Sequence, residues 1–170
     1  MTSLTRLLLL AAILPLAACG FHVRGSNPGD VTFAFKSLYL KAPAESPFIK
    51  ELRKAMKASK INTVKTPDQA ELVLEIISEQ ATRQILSLTG AGRVQEYQLF
   101  YRVNLRAYDS QQNDWLPADE ISLSRILPWD DTQVLSKEQE AEGLNKDMRS
   151  DAVGQIVRRL NRARPPTATP

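Results

Sequence analysis

The chain has 170 residues, and its 22 Lys and Arg against 19 Asp and Glu leave a formal charge of +3 at neutral pH. That balance excludes a nucleic-acid protein recruited by bulk charge. A single Cys and a single His exclude an internal disulfide and the usual zinc ligand sets.

The first residues read as a signal peptide. Arg6 and the amino terminus supply positive charge, and Leu7 to Leu16 form an apolar stretch interrupted by Pro15 and too short to span a bilayer. The sequence Leu16-Ala17-Ala18-Cys19 then places small residues before a cysteine, the pattern cut by a lipoprotein peptidase. Residues 1–18 are expected to be removed, and Cys19 is the expected lipid anchor. An ordinary secreted protein with an incidental cysteine is the bland alternative. Cleavage leaves 152 of the 170 residues, enough for one domain with a core that needs no staple, and loss of Arg6 lowers the charge from +3 to +2. A three-chain bacterial anchor, at roughly 0.8 kcal/mol per buried CH₂, is effectively permanent. Gly20, rather than Asp, follows the cysteine, which in enterobacterial sorting favours the outer membrane.

Residues 19–32 read as a tether carrying Gly25, Asn27, Pro28 and Gly29, and order is expected from Phe33. Phe35 to Ala42 reads as a strand with Leu38 and Leu40 on one side. Ser46-Pro47 is a helix start, a capping hydroxyl followed by proline at the first helical position. The helix is expected to run to Ser59 with Ile49, Leu52 and Met56 on its apolar stripe. Leu72 to Leu86 follows as a strand, with Leu72, Leu74 and Ile76 sharing a face. After Gly90 and Gly92, Arg93 to Tyr108 alternates most regularly, with Tyr97, Leu99, Tyr101, Val103, Leu105 and Ala107 facing one way. At about 3.3 Å per residue this strand reaches roughly 50 Å, so it must bend or overhang. Asp109 to Asp114 is a turn and Trp115 to Leu127 a further antiparallel strand, begun irregularly at Pro117.

Ser136, with Gln139 three residues on, reads as a capping box opening the last helix. Met148, Ala152, Ile156 and Leu160 then recur every four residues, and Pro165 and Pro166 end the helix. The expected fold is α+β: a two-layer sandwich of a four-stranded mixed sheet with two helices on one face, spanning 33–164, ahead of a disordered tail at 165–170. Its other face keeps Glu96, Gln98, Arg102 and Arg106 for a partner or solvent.

No catalytic constellation is visible, and no cofactor or metal site is expected. His22 lies beside the anchor, no phosphate-cradling loop occurs, and Asp119 and Glu120, adjacent on a strand, point to opposite faces. Binding chemistry remains. Arg93 sits on a hairpin tip near Leu86 and Leu88, where a guanidinium can pair with phosphate; an exposed arginine without a role is the alternative. Lys137 places a cation at the positive end of a helix, an arrangement a nearby anion would relieve, unless the helix begins later and Lys137 lies in a loop. Arg158, Arg159, Arg162 and Arg164 crowd the end of the last helix, where cations favour the helix dipole.

Three motifs in order, Cys19-Gly20-Phe21-His22-Val23-Arg24, Glu96-Tyr97-Gln98 and Val134-Leu135-Ser136-Lys137, make the chain resemble the lipopolysaccharide-assembly lipoprotein family LptE over nearly the whole mature length. The resemblance implies a lipid-anchored protein on the periplasmic side of the outer membrane, plugging the LptD translocon barrel, supporting its assembly and binding lipopolysaccharide. It implies that Lys137 and Arg93 serve that binding, although the family arginine stands further from the Glu-Tyr-Gln motif than Arg93 does. An adaptor lipoprotein of another envelope machine, such as the barrel-assembly complex, is the competing reading.

Overall fold

A computed structural model describes residues 33–166. The leader, Cys19, the tether and the last four residues fall outside them. Among the described residues the elements are β1 (Leu38–Lys41), α1 (Pro47–Ala58), a short 3-10 turn (Pro67–Gln69), β2 (Leu72–Leu88), β3 (Val94–Tyr108), β4 (Asp114–Pro128) and α2 (Val134–Arg162). The sheet order is β1-β2-β3-β4, with β1 parallel to β2 and the remaining pairs antiparallel. This is the expected α+β sandwich, both helices packing on one face of a mixed four-stranded sheet.

The Ser46 hydroxyl caps α1 by accepting the Ile49 N–H at 3.2 Å, and Pro47 opens the helix, as the Ser-Pro pair predicts. The stripe Ile49, Leu52 and Met56 is buried against Leu38, Leu74, Val103 and Leu105 in one core that also takes Met148, Ala152, Ile156 and Leu160 from α2. At about 25 cal/mol per Å² of apolar surface removed from water, this shared core is the main stabilising contribution.

The long strands bend through bulges. Ile76 pairs with Leu105 and Ser78 with Asn104, so Ile77 is an extra residue in β2. The insertion moves the next alternate set, Glu79, Ala81, Arg83 and Ile85, onto the helix face opposite Val103, Tyr101, Leu99 and Tyr97. A second bulge falls at Pro117 and Ala118, because Leu105 pairs with Asp119 but Ala107 with Leu116. Proline cannot donate to the ladder, so the irregular start expected there is the residue's own doing.

Three sequence expectations are corrected. β1 is shorter than Phe35–Ala42, and β2 continues two residues past Leu86 to Leu88. The capping box at Ser136 does not form: the last helix starts at Val134, its N-cap is Gln133, and no side chain caps it. Ser136 is therefore already inside the first turn. The start is fixed instead by tertiary ties from Arg83 and Trp129.

Candidate functional site

Buried residues crowd the end of the sheet where β1 and β2 begin; from Gln80 onward no residue of β2 is buried. The opposite end, called here the tip, consists of the β2–β3 turn, the end of β4 and the first turns of α2. Apolar side chains are left uncovered there: Ile85, Leu86, Leu88 and Ile126 on the strands, Val134 and Leu135 on the helix, with Leu135 75% exposed. Such a cluster is a candidate contact surface rather than a core.

The β2–β3 turn is closed by Thr89 N–H donating to the Arg93 carbonyl at 2.7 Å and Gly92 N–H donating to the Thr89 carbonyl at 2.9 Å. Gly92 sits at φ +75°, a conformation that residues with a Cβ rarely adopt. The Arg93 N–H donates to the Thr89 hydroxyl, and its side chain is exposed, bordering an open groove of about 330 Å³ with Trp129, Asp130 and Asp131. Both carboxylates are engaged locally. Asp130 accepts from the Thr132 N–H and hydroxyl, and Asp131 accepts from the Trp129 indole N–H at 2.8 Å. The Thr132 bonds, helped by the Lys137 charge, hold Asp130 below the usual carboxylate range.

Lys137 lies on the first turn of α2, its N–H donating to the Gln133 carbonyl and its ammonium paired with Glu140 at 2.9 Å. The helix begins before Lys137 rather than after it, so the cation does stand at the positive end of the dipole, and Glu140 offsets that cost. Arg93 and Lys137 thus flank the same Trp129–Gln133 loop. Cys19 lies outside the described residues.

The residue that sequence reasoning missed is Arg83. The Ile77 bulge turns it toward the helices, where it donates twice to Glu138 at 2.8 Å and lies over the rings of Tyr97 (5.1 Å) and Trp129 (5.6 Å). Tyr97 and Trp129 meet edge to face at 5.1 Å, and the Trp129 N–H donates to the Gln95 carbonyl. These contacts tie the loop and the first turn of α2 to the hairpin, which is why α2 needs no side-chain cap. The Glu138 bonds raise the Arg83 pKa, and Arg83 lowers that of Glu138. Arg125–Asp151 (2.7 Å) and Arg159–Asp119 continue the tie along β4.

The sheet face away from the helices is polar. Glu75 holds both Lys41 and Arg106 at 2.8 Å, Arg106 lies over Tyr108, Arg102 lies over Phe100, and Asn104 donates to Ser78. Asp119 turns to the helix side while Glu120 faces Arg102, so the adjacent carboxylates do diverge.

The family described as lipopolysaccharide-assembly, LptE, matches residues 32–160. A relative from Yersinia enterocolitica, named LPS-assembly lipoprotein LptE, is 30% identical over 91% of this chain and 73% of its own length. The solution structure of an uncharacterized lipoprotein B from Nitrosomonas europaea is similar at a TM-score of 0.69 and 36% identity, covering 82% of this chain and 88% of the other. The rare lipoprotein B of Shewanella oneidensis is similar at a TM-score of 0.65 and 26% identity, covering 72% of this chain and 91% of the other. The chain belongs to the LptE family of lipopolysaccharide assembly, a family of envelope lipoproteins rather than enzymes.

Proposed function

We propose that this lipoprotein, processed at Cys19 and anchored by lipid to the periplasmic side of the outer membrane, plugs the LptD barrel and binds lipopolysaccharide at its tip. The observation that carries the reading is the composition of the tip. Arg93 and Lys137 flank one loop; Ile126 and Leu135 stand uncovered on the two elements that it joins, and Leu86 and Leu88 stand uncovered on β2, just before the turn that carries Arg93. Cations beside exposed aliphatic side chains suit a ligand that presents phosphates next to acyl chains, as lipid A does. The carboxylates of the loop are already engaged by Thr132 and Trp129, which leaves the Arg93 guanidinium for an incoming anion.

The polar sheet face supports the plug. A barrel lumen is wet and polar, and a surface built from Glu75, Arg102, Asn104 and Arg106 suits it better than an apolar interface would.

Two measurements test the reading. Tagged full-length protein purified in mild detergent should bring LptD with it in stoichiometric amount; recovery with another machine, or alone, overturns the barrel assignment. Arg93→Asp combined with Lys137→Asp should weaken capture on immobilised lipopolysaccharide while circular dichroism stays that of the parent. Unchanged capture overturns the tip assignment.

A further inference from the structure

The end of the domain opposite the tip gathers both helix C-termini. α1 begins where Ser46 meets Glu79 and ends beside Leu38, whose N–H donates to the Asn62 carbonyl just after the helix. α2 begins at the tip and ends past Arg159, which is paired with Asp119 opposite Leu105. This base therefore carries Lys57 and Lys60 from the end of α1, and Arg158 and Arg162 from the end of α2. All four are exposed, and among the described residues no carboxylate lies within 4.0 Å of them.

Stabilisation of the helix dipole accounts for only part of this set. Arg164 does cap the helix end, donating to the carbonyls of Asn161 and Ala163. Arg158 instead lies back along the helix, its Nη1 within 3.3 Å of where a Cβ on Gly154 would stand. With Gln155, Arg159 and Arg162 it borders an open hollow of about 220 Å³. Three guanidiniums thus border one hollow, and one carboxylate, Asp119, answers them. The other carboxylates of the base are partly committed: Glu71 accepts the Lys36 N–H, and Asp109 accepts the Gln111 and Asn113 N–H groups, leaving Asp68 and Asp114 as counter-charges.

The chain also enters the domain at this end. Phe33 stacks on Phe35, and Lys36 and Ser37 bond to Glu71 just ahead of β2. Residues 19–32 can span at most about 3.3–3.6 Å each, so a lipid on Cys19 keeps the base within roughly 50 Å of the bilayer. A leash of that length gives weak individual contacts a high effective concentration.

We propose that, in the lipoprotein not yet engaged with a barrel, the Arg158–Arg162 hollow holds the phosphates of anionic phospholipids in the leaflet that carries its own acyl chains. The domain then rests base-down, with the tip directed away from that surface. This inference rests on the reading of Cys19 as the lipid anchor.

The test uses the full lipoprotein purified from membranes and reconstituted into vesicles of phosphatidylcholine, alone or with about one third phosphatidylglycerol. A spin label on Asn161→Cys, a free thiol because Cys19 is acylated, reports relaxation by a nickel-chelating headgroup. The label should lie at the surface in the anionic vesicles and away from it in the neutral ones. At about 1 kcal/mol per arginine near an anionic surface, or roughly fivefold each, Arg158→Gln with Arg162→Gln should cut the surface-bound to free ratio about 30-fold. Lys50→Gln with Lys146→Gln, which removes equal charge elsewhere, should leave that ratio unchanged. Equal relaxation in both vesicles, or equal loss in the two double variants, overturns the proposal. Flotation separates it from the anchor reading. An acylated protein floats with neutral vesicles whatever its base does, so failure to float with them overturns the anchor and the proposal resting on it. Flotation with both vesicles but equal relaxation in both overturns the proposal alone.

Discussion

Removing the Tyr101 hydroxyl tests how the helix layer is fixed to the sheet. Tyr101 is 3% exposed, and its hydroxyl donates to Glu79 Oε1 at 2.6 Å. The other oxygen of Glu79 accepts from the Ser46 hydroxyl at 2.6 Å, and that hydroxyl caps α1. One carboxylate, turned inward by the Ile77 bulge, therefore ties β2, β3 and the start of α1 together. A hydrogen bond to a charged group in a partly buried setting is worth about 1.5–3 kcal/mol. Tyr101→Phe leaves the volume unchanged and strips the carboxylate of one donor, so the expected loss is about 2 kcal/mol, or roughly 6–10 °C in Tm for a domain of this size. In a Glu79→Gln background no charge is stranded, and the same substitution should cost only about 1 kcal/mol. The pH dependence gives a second readout. Burial, then the bond to Glu79, pushes the Tyr101 pKa well above its ordinary value of 10.0. The unfolded chain loses this proton near pH 10 while the folded one keeps it, so this contribution is fully present below that pH and is lost as pH rises above it. Tyr101→Phe should flatten that alkaline decline. Urea unfolding across pH measures both effects; a Tyr101→Phe loss under about 0.5 kcal/mol, or an equal loss in the Glu79→Gln background, refutes the tie.

Three further outcomes are expected. Ile156→Ala, at a fully buried position of α2, should cost about 3 kcal/mol in urea unfolding by opening a cavity in the shared core. Glu75, whose pKa is lowered chiefly by its bond to Lys41 and further by Arg106, adds stability above its ordinary value of 4.5 that is lost as pH falls below it. Glu75→Gln should therefore flatten the acid limb of the stability curve, and an unaltered limb would count against this role. Ser136→Ala should leave Tm within about 1 °C of the parent, whereas a working N-cap would lose about 1 kcal/mol; a clear drop would restore the capping box.

Periodicity carried the fold where one face was dry. The alternation from Tyr97 to Ala107 and the stripes Ile49-Leu52-Met56 and Met148-Ala152-Ile156 all face the core, because burial imposes a period that the sequence must obey. The Ile77 bulge was not legible. It precedes the largely polar run Ser78 to Gln84, in which a one-residue slip exchanges one polar face for another and leaves no trace in hydrophobicity. Arg83 was hidden for the same reason, and because its partner Glu138 lies 55 residues away. The capping box misled because Ser136 and Gln139 satisfy a local rule, while the actual start is set by Trp129, Arg83 and Glu138. Lys137 was legible as a cation at a helix start, and Arg93 as a guanidinium on a hairpin tip; their sharing of one loop required the tertiary structure.

The two ends of the sheet are held by different physics, and this division bears on function. At the base, Leu38, Leu72, Leu74, Val103 and Leu105 are closed under α1 and α2, and opening that end would expose the shared core. At the tip no β2 side chain is buried; Leu127 of β4 is, and beyond it order depends on a few directional contacts: one guanidinium between two rings and a carboxylate, one indole N–H, and a glycine turn. Segments with few buried apolar contacts open at lower free energy than the core. On the proposed function, the tip is the end free to rearrange its exposed aliphatic side chains around a ligand or a barrel wall while the base keeps its shape. A fully packed tip would be stiffer, but its leucines would face inward and Arg93 would have no groove to border. The sparse packing that leaves this end exposed is thus the same feature that the proposed binding requires.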